Sequence, residues 1–222
     1  MSGNSLVAHC DGERDLRTRI RMRMRGTKPS ETIEEWRLLG LSAEESREFR
    51  PFFPEHPVPA AVLIPLVDHA SGLTVLLTQR ASHLKNHAGQ VSFPGGRIEP
   101  ADGDPVTAAL REAREEIGLD AAFVEVLGFL PDHVIVSGYR VTPVVALVRP
   151  GFTLALDLGE VVEAFEVPLP FLLDPANRRP RLRQFGERSV QFLDIPFGTR
   201  EIWGATAGML LTLERILDAA AP

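Results

Sequence analysis

The run Arg111-Glu112-Ala113-Arg114-Glu115-Glu116-Ile117-Gly118-Leu119 constrains this chain more than any other stretch. Residues three and four apart are neighbours on a helix, so Glu112 sits beside both Glu115 and Glu116. Gly118 reads as the helix C-cap. The acids therefore gather near the C-terminal end, where the macrodipole already disfavours negative charge. Arg111 and Arg114 could neutralise them as a solvated surface face. A hard divalent cation with oxygen ligands, Mg²⁺ or Mn²⁺, is the other way to hold such a cluster. Upstream, Asp102 or Asp104 is placed to cap the helix, with Pro105 at its first position.

The segment before the helix decides between these readings. It runs Gly89-Gln90-Val91-Ser92-Phe93-Pro94-Gly95-Gly96, then a polar loop from Arg97 to Asp104. The order is short strand, glycine-rich turn, loop, acidic helix. Here the chain resembles the Nudix hydrolases, whose box ends Arg-Glu-apolar-x-Glu-Glu-x-Gly-apolar. Arg111, Glu112, Ala113, Glu115, Glu116, Gly118 and Leu119 match that half at every fixed position. The first half departs from it. The usual glutamate position falls on Gly103, and Gly96 lies one residue further from Arg111 than the general box expects. Asp102 and Asp104 flank the place of the missing acid.

A longer run, Leu76-Leu77-Thr78-Gln79-Arg80 through Gly89-Gln90-Val91-Ser92-Phe93-Pro94-Gly95-Gly96, looks like the signature of one Nudix branch, the coenzyme A pyrophosphatases. The longer loop with an Asp belongs to that branch pattern. Trp203-Gly204-Ala205-Thr206-Ala207-Gly208 is a further similarity. The resemblance spans about residues 55 to 218, and two linked motifs are far more specific than a lone glycine pattern. It implies an α/β (α+β) fold, the α/β/α sandwich with a mixed β-sheet. It also implies a metal-dependent hydrolase that cleaves coenzyme A at its diphosphate. The rivals are a hydrolase of another nucleoside diphosphate, such as ADP-ribose or a dinucleotide, and a noncatalytic nucleotide-binding regulator.

The resemblance assigns Glu112, Glu115 and Glu116 as metal ligands, joined by the Gly96 carbonyl. Arg111 would orient a glutamate at i+4. Glu160 is the candidate base from beyond the box, ahead of Glu163, although Glu112 is a base in some family members. Thr78, Arg80, Lys85 and Gln90 are the candidate substrate contacts, with Arg suited to bidentate phosphate binding. His83 and His87 are loop residues that could reach phosphate, and Trp203 is either an adenine platform or a buried aromatic.

Composition narrows the class. With 44% hydrophobic and 24% charged residues over 222 positions, the chain is of the globular type. Net charge −6 gives no support for nucleic-acid binding. Cys10 is the only cysteine, which rules out an intramolecular disulfide. No apolar run approaches a membrane span, and the first residues lack a signal core. A bacterial cytoplasmic enzyme with a small-molecule substrate and no membrane partner is the simplest expectation, a homodimer being left open.

Residues 1–54 read as a helical or extended arm, and residues 55–222 as the hydrolase domain. Within the arm, Leu16, Ile20 and Met24 fall at i, i+4, i+8, the spacing of a buried helical stripe. Ser42-Ala43-Glu44-Glu45 has capping-box form, and Pro51, Pro54, Pro57 and Pro59 make a stiff connector. Strands are expected over 61–67, 73–78, 123–130, 141–148, 161–167, 190–195 and 201–203, with a short helix over 168–173 and a terminal one over 206–219.

Overall fold

The computed structural model describes residues 15–30, 53, 55–84, 87–185 and 188–219. Lys85, the Ser42 capping box, and Pro51 and Pro54 of the connector lie outside these residues.

The first described element is a helix, α1, over residues 15–24. The strands of the main sheet are β1 (Val58–His69), β2 (Gly72–Arg80), β3 (Val91–Ser92) and β4 (Gly95–Arg97). After helix α2 (Pro105–Ile117) come β5 (Val124–Phe129), β6 (His133–Val134), β7 (Tyr139–Val148) and β8 (Val161–Pro168). The path through the sheet is β3-β2-β1-β7-β5, with β4 on β1, β6 on β7 and β8 on β2. β1 and β7 run parallel and their other partners antiparallel, so the sheet is mixed.

Side chains alternate across a strand, and β1 shows how this builds two cores. Ala61, Leu63 and Val67 pack with Ala108, Ala109, Ala113 and Ile117 of α2. Ala60, Ile64 and Leu66 face the opposite way. There they meet Leu16, Ile20 and Met24 of α1, and Leu210, Leu213 and Leu217 of the terminal helix α4 (Gly204–Asp218). The result is the expected helix–sheet–helix sandwich. The short helix α3 (Leu169–Leu173) follows β8 directly.

Beyond the sandwich, β9 (Arg179–Phe185), β10 (Arg188–Phe197) and β11 (Arg200–Trp203) form a separate antiparallel sheet. β9 was not foreseen from sequence. Its run Arg-Pro-Arg-Leu-Arg-Gln-Phe lacks the apolar alternation that marks a half-buried strand.

The arm's helix is tied in at several points. Arg17 Nε donates to Asp68 Oδ1 at 2.5 Å, and Arg21 donates to both Glu125 oxygens at 2.5 and 2.8 Å. Its arginines therefore neutralise strand-end carboxylates while its apolar stripe is buried. Just past it, Thr27 Oγ1 accepts the Phe129 amide at 2.8 Å, beside the β5 bulge between Val126 and Gly128. Truncating Ile20, which is fully buried, to alanine is expected to cost about 2–5 kcal/mol in a urea melt. A solvated, dispensable helix would show no such loss.

Candidate active site

Local chemistry sets α2 in place. Asp104 is its N-cap, accepting the Val106 and Thr107 amides at 2.8 and 2.9 Å, with Pro105 following. At the other end Gly118 is left-handed at φ 69°. Its amide reaches Arg114 O at 2.9 Å, and that of Leu119 reaches Ala113 O at 3.3 Å. The amides of Ala155 and Asp157 take the next carbonyls, those of Ile117 and Glu116. This satisfies the helix end and brings the chain back toward the acids just before Glu160. Glu160 is fixed there, its carbonyl accepting the Ala81 amide at 2.8 Å.

β4 lies against β1 with Gly96 opposite Ala61 and Gly95 opposite Val62. The two glycines divide the work. A Cβ on Gly96 would stand 2.6 Å from the Glu112 carboxylate. Gly95, at φ +154°, would drive a Cβ to 2.4 Å from Ala61 O. Its amide donates to Glu116 Oε2 at 3.1 Å. Gly95 is required by the backbone it meets and by its positive φ, while a side chain at Gly96 would displace the Glu112 carboxylate.

Arg111 organises the cluster. Its Nε and Nη2 donate to the two Asp102 oxygens at 2.8 and 3.0 Å. Nη1 donates to Glu112 Oε1 and Glu115 Oε2, each at 2.9 Å, and Nη2 also reaches Arg97 O at 3.1 Å. The i+4 reach to Glu115 matches the sequence reading. The bidentate grip on Asp102 was not foreseen. Its one sequence signal was that Asp102 and Asp104 flank Gly103; in the fold Asp102 holds Arg111 and Asp104 caps the helix. Arg111 keeps the Asp102 carboxyl below the usual carboxylate range, helped by the Glu99 amide.

Adjacent glutamates on α2 differ sharply. The Glu115 side chain is 60% exposed and that of Glu116 only 3%. Burial pushes Glu116 up to about 7, against the opposing pull of the Gly95 amide and Arg80 and with the like charges of Glu112 and Glu160. Glu112 is also raised, first by burial, then opposed by Arg111, with Glu115 and Glu160 adding repulsion. Glu160 thus acts electrostatically on both.

Among the candidate substrate contacts, Arg80 joins this cluster, its Nη1 on Glu116 Oε1 at 3.1 Å. Gln90 sits beside it, its carbonyl accepting the Arg80 amide and its side chain meeting His87 Nδ1 at 2.9 Å. Thr78 is fully buried, its hydroxyl donating to Ser92 O at 3.1 Å, and it ties β2 to β3. Glu163, the alternative base, is paired with Arg200, whose guanidinium lies 4.2 Å from the Phe165 ring centroid. Trp203 is half-buried at the start of α4, with Arg181 over its ring at 5.6 Å.

Among the described residues, no three carboxylate, imidazole or thiol groups are already gathered around one point as a metal cage. Guanidiniums stand among the acids instead. The donor set still suits a hard cation: mutually repelling carboxylate oxygens, those of Glu116 buried, near the negative end of a helix and beside the glycines of β4.

Comparison with known proteins gives the family. A model of the NUDIX domain matches residues 56–187. The chain is 42% identical over 156 residues to NudL of Escherichia coli K12, an uncharacterized Nudix hydrolase, spanning 69% of this chain and 80% of that protein. NudL of Shigella boydii serotype 18 matches to the same extent. A MutT/nudix family protein of Enterococcus faecalis overlaps 80% of this chain and 70% of its own, at 19% identity and a TM-score of 0.45, too slight a likeness to carry an argument. The mixed sheet between helices and the acidic helix are those of a Nudix hydrolase. The chain belongs to the Nudix hydrolase family. Its members act on small molecules and generally use divalent cations. No helix among the described residues is long and apolar enough to cross a membrane.

Two outcomes are expected. Asp102→Asn, by loosening Arg111, should lower turnover about 10–100-fold, the usual effect of removing a group that orients metal-site residues. Wild-type turnover would show that Arg111 needs no such hold. In EDTA, Glu116 should give a pH-dependent stability. Its folded pKa lies above the ordinary 4.5, so the folded state keeps a proton that the unfolded state loses. Stability should then fall as pH rises from about 4.5 to about 7. Glu116→Gln should flatten that part of the urea-melt profile, and an unchanged slope would assign it elsewhere.

Proposed function

We propose that this Nudix hydrolase cleaves the diphosphate of coenzyme A, or of its acylated or oxidised forms. The products are 3′,5′-ADP and 4′-phosphopantetheine or its derivative. The hydrolytic part rests chiefly on Glu116: a carboxylate buried at the negative end of a helix, against a glycine backbone, is a costly arrangement that a cation relieves. Support for coenzyme A comes from the run Leu76 to Gly96 and from Trp203 to Gly208, which resemble the coenzyme A branch.

In this reading Glu112, Glu115 and Glu116, with the Gly96 carbonyl, hold Mg²⁺ or Mn²⁺. When bound, the cation neutralises the diphosphate and lowers the pKa of the attacking water. Arg111 fixes Glu112 and Glu115 so that their oxygens stay aimed. Glu160 stands beside both buried acids without a side-chain partner of its own in this cluster, and takes the proton of the attacking water. Arg80 and Gln90 contact the substrate phosphates, and Lys85 remains a candidate on the same loop. A small-molecule substrate and a bacterial cytoplasmic setting go with this reading.

Purified protein incubated with coenzyme A and Mg²⁺ or Mn²⁺ should release 3′,5′-ADP and 4′-phosphopantetheine by mass spectrometry, and EDTA should stop it. Cleavage of ADP-ribose or a dinucleotide instead would move the substrate while keeping the hydrolase. Tight nucleotide binding with no metal-dependent turnover would make it a regulator. Glu115→Gln and Glu116→Gln should each lower turnover on the order of 100-fold while the chain stays folded. Near-wild-type rates at saturating Mg²⁺ would remove them from the metal site.

A further inference from the structure

We propose that Arg80 is shared between Glu116 and the substrate diphosphate, and that this exchange couples cation binding to diphosphate binding. The inference rests on the reading of Glu116 as a metal ligand and adds a control to that site.

Glu116 has two oxygens, and both are engaged. Oε2 takes the Gly95 amide at 3.1 Å, and this bond is built into the β4 backbone. Oε1 takes Arg80 Nη1 at 3.1 Å. A divalent cation seeking this carboxylate therefore meets a guanidinium on its freer oxygen. Two cations on one oxygen repel, and at a side chain only 3% exposed water does little to screen them. Arg80 on Oε1 thus opposes a cation at Glu116, and its departure frees that oxygen.

Arg80 is equipped to leave. Nη1 makes its one ion pair among the described residues, and its Nε is buried with no hydrogen-bond partner. A planar guanidinium held by one bond, with donors to spare, is poorly satisfied where it is. It sits at the last position of β2, where the pairing with β8 shifts register between Gln79 and Arg80. Such irregularities re-aim a side chain at the end of a ladder. Two non-bridging oxygens of a diphosphate match its unused fork. Arg80 thus trades one anion for another: Glu116 before the cation arrives, the diphosphate after. By linkage, each ligand then tightens the other.

The test compares wild type with Arg80→Met, using Arg200→Met as a charge control. Arg200 pairs with Glu163 on β8, so its removal takes away a nearby positive charge without touching Glu116. Mn²⁺ affinity is read by calorimetry without nucleotide, and ADP affinity by calorimetry at saturating Mn²⁺. Arg80→Met should bind Mn²⁺ about tenfold more tightly and ADP about tenfold more weakly, the scale of one net charged hydrogen bond in each case. Arg200→Met should change neither by more than about twofold. Unchanged Mn²⁺ affinity in Arg80→Met overturns the proposal, because a plain phosphate ligand alters ADP binding alone. Equal tightening in Arg200→Met also overturns it, since through-space charge would then suffice. Weakening of both ligands makes Arg80 a structural residue. If Arg80→Met melts too low to titrate, Arg80→Gln is read in the same way. Failure to cleave coenzyme A beside the opposed affinities would overturn only the substrate reading. Absence of Mn²⁺ binding to wild type would overturn both.

Discussion

The fork between Arg111 and Asp102 ties the polar loop to the helix that follows it. Asp102 lies in the polar loop, and Arg111 stands two turns into α2. With its Nε–Nη2 edge committed to Asp102, Nη1 is left pointing at Glu112 and Glu115, and Nη2 also touches the Arg97 carbonyl on β4. One side chain therefore sets the distance between loop, helix and strand. A lysine would not serve, because a point charge cannot hold one carboxylate bidentately and orient two more. The closeness of Gly96 to Glu112 follows from this alignment, and glycine is what permits it.

The sheet supplies the other half of the constraint. β4 is only three residues long, yet its pairing with β1 fixes which glycine faces which acid. β1 is held in turn by a ten-residue parallel register with β7 from Val58–Tyr139 to Val67–Val148. Packing on both faces makes that register hard to slip, since a shift of one residue would turn Leu63 and Ile64 to the wrong layers. The site is thus placed by the most buried part of the molecule, and α1 contributes by closing one of its two cores.

What could be read in the sequence was what is decided locally. The bounds of α2 were legible because Asp104, Pro105 and Gly118 act within a turn of themselves. The stripe Leu16, Ile20 and Met24 was legible because helical spacing alone puts it on one face. The crowding of Glu112, Glu115 and Glu116 follows from the same geometry. Contacts that depend on loop closure were not legible. Asp102 finds Arg111 nine positions away only once the loop folds back, and Arg80 finds Glu116 across 36 positions. The Thr78 hydroxyl's partner is of the same kind: Ser92 arrives only when β3 pairs with β2. β9 escaped because its arginines conceal a strand held by its hairpin partner β10 rather than by an apolar face.

The charge balance at the site gives these pieces one direction. Asp102, Glu112, Glu115, Glu116 and Glu160 face the guanidiniums of Arg80 and Arg111. Arg111 commits one edge to Asp102 and shares Nη1 between Glu112 and Glu115, and Glu116 has Arg80 on one oxygen, so half-buried Glu112 and buried Glu116 are each only partly matched. Those are the two whose carboxyls are raised, and Glu160 raises both. A site balanced by its own arginines would have little use for a metal. One left short of positive charge at its least solvated oxygens favours a small dication. The deficit is thus a consequence of how the fold distributes two arginines among five acids, and it follows less from the number of acids than from which of them are buried.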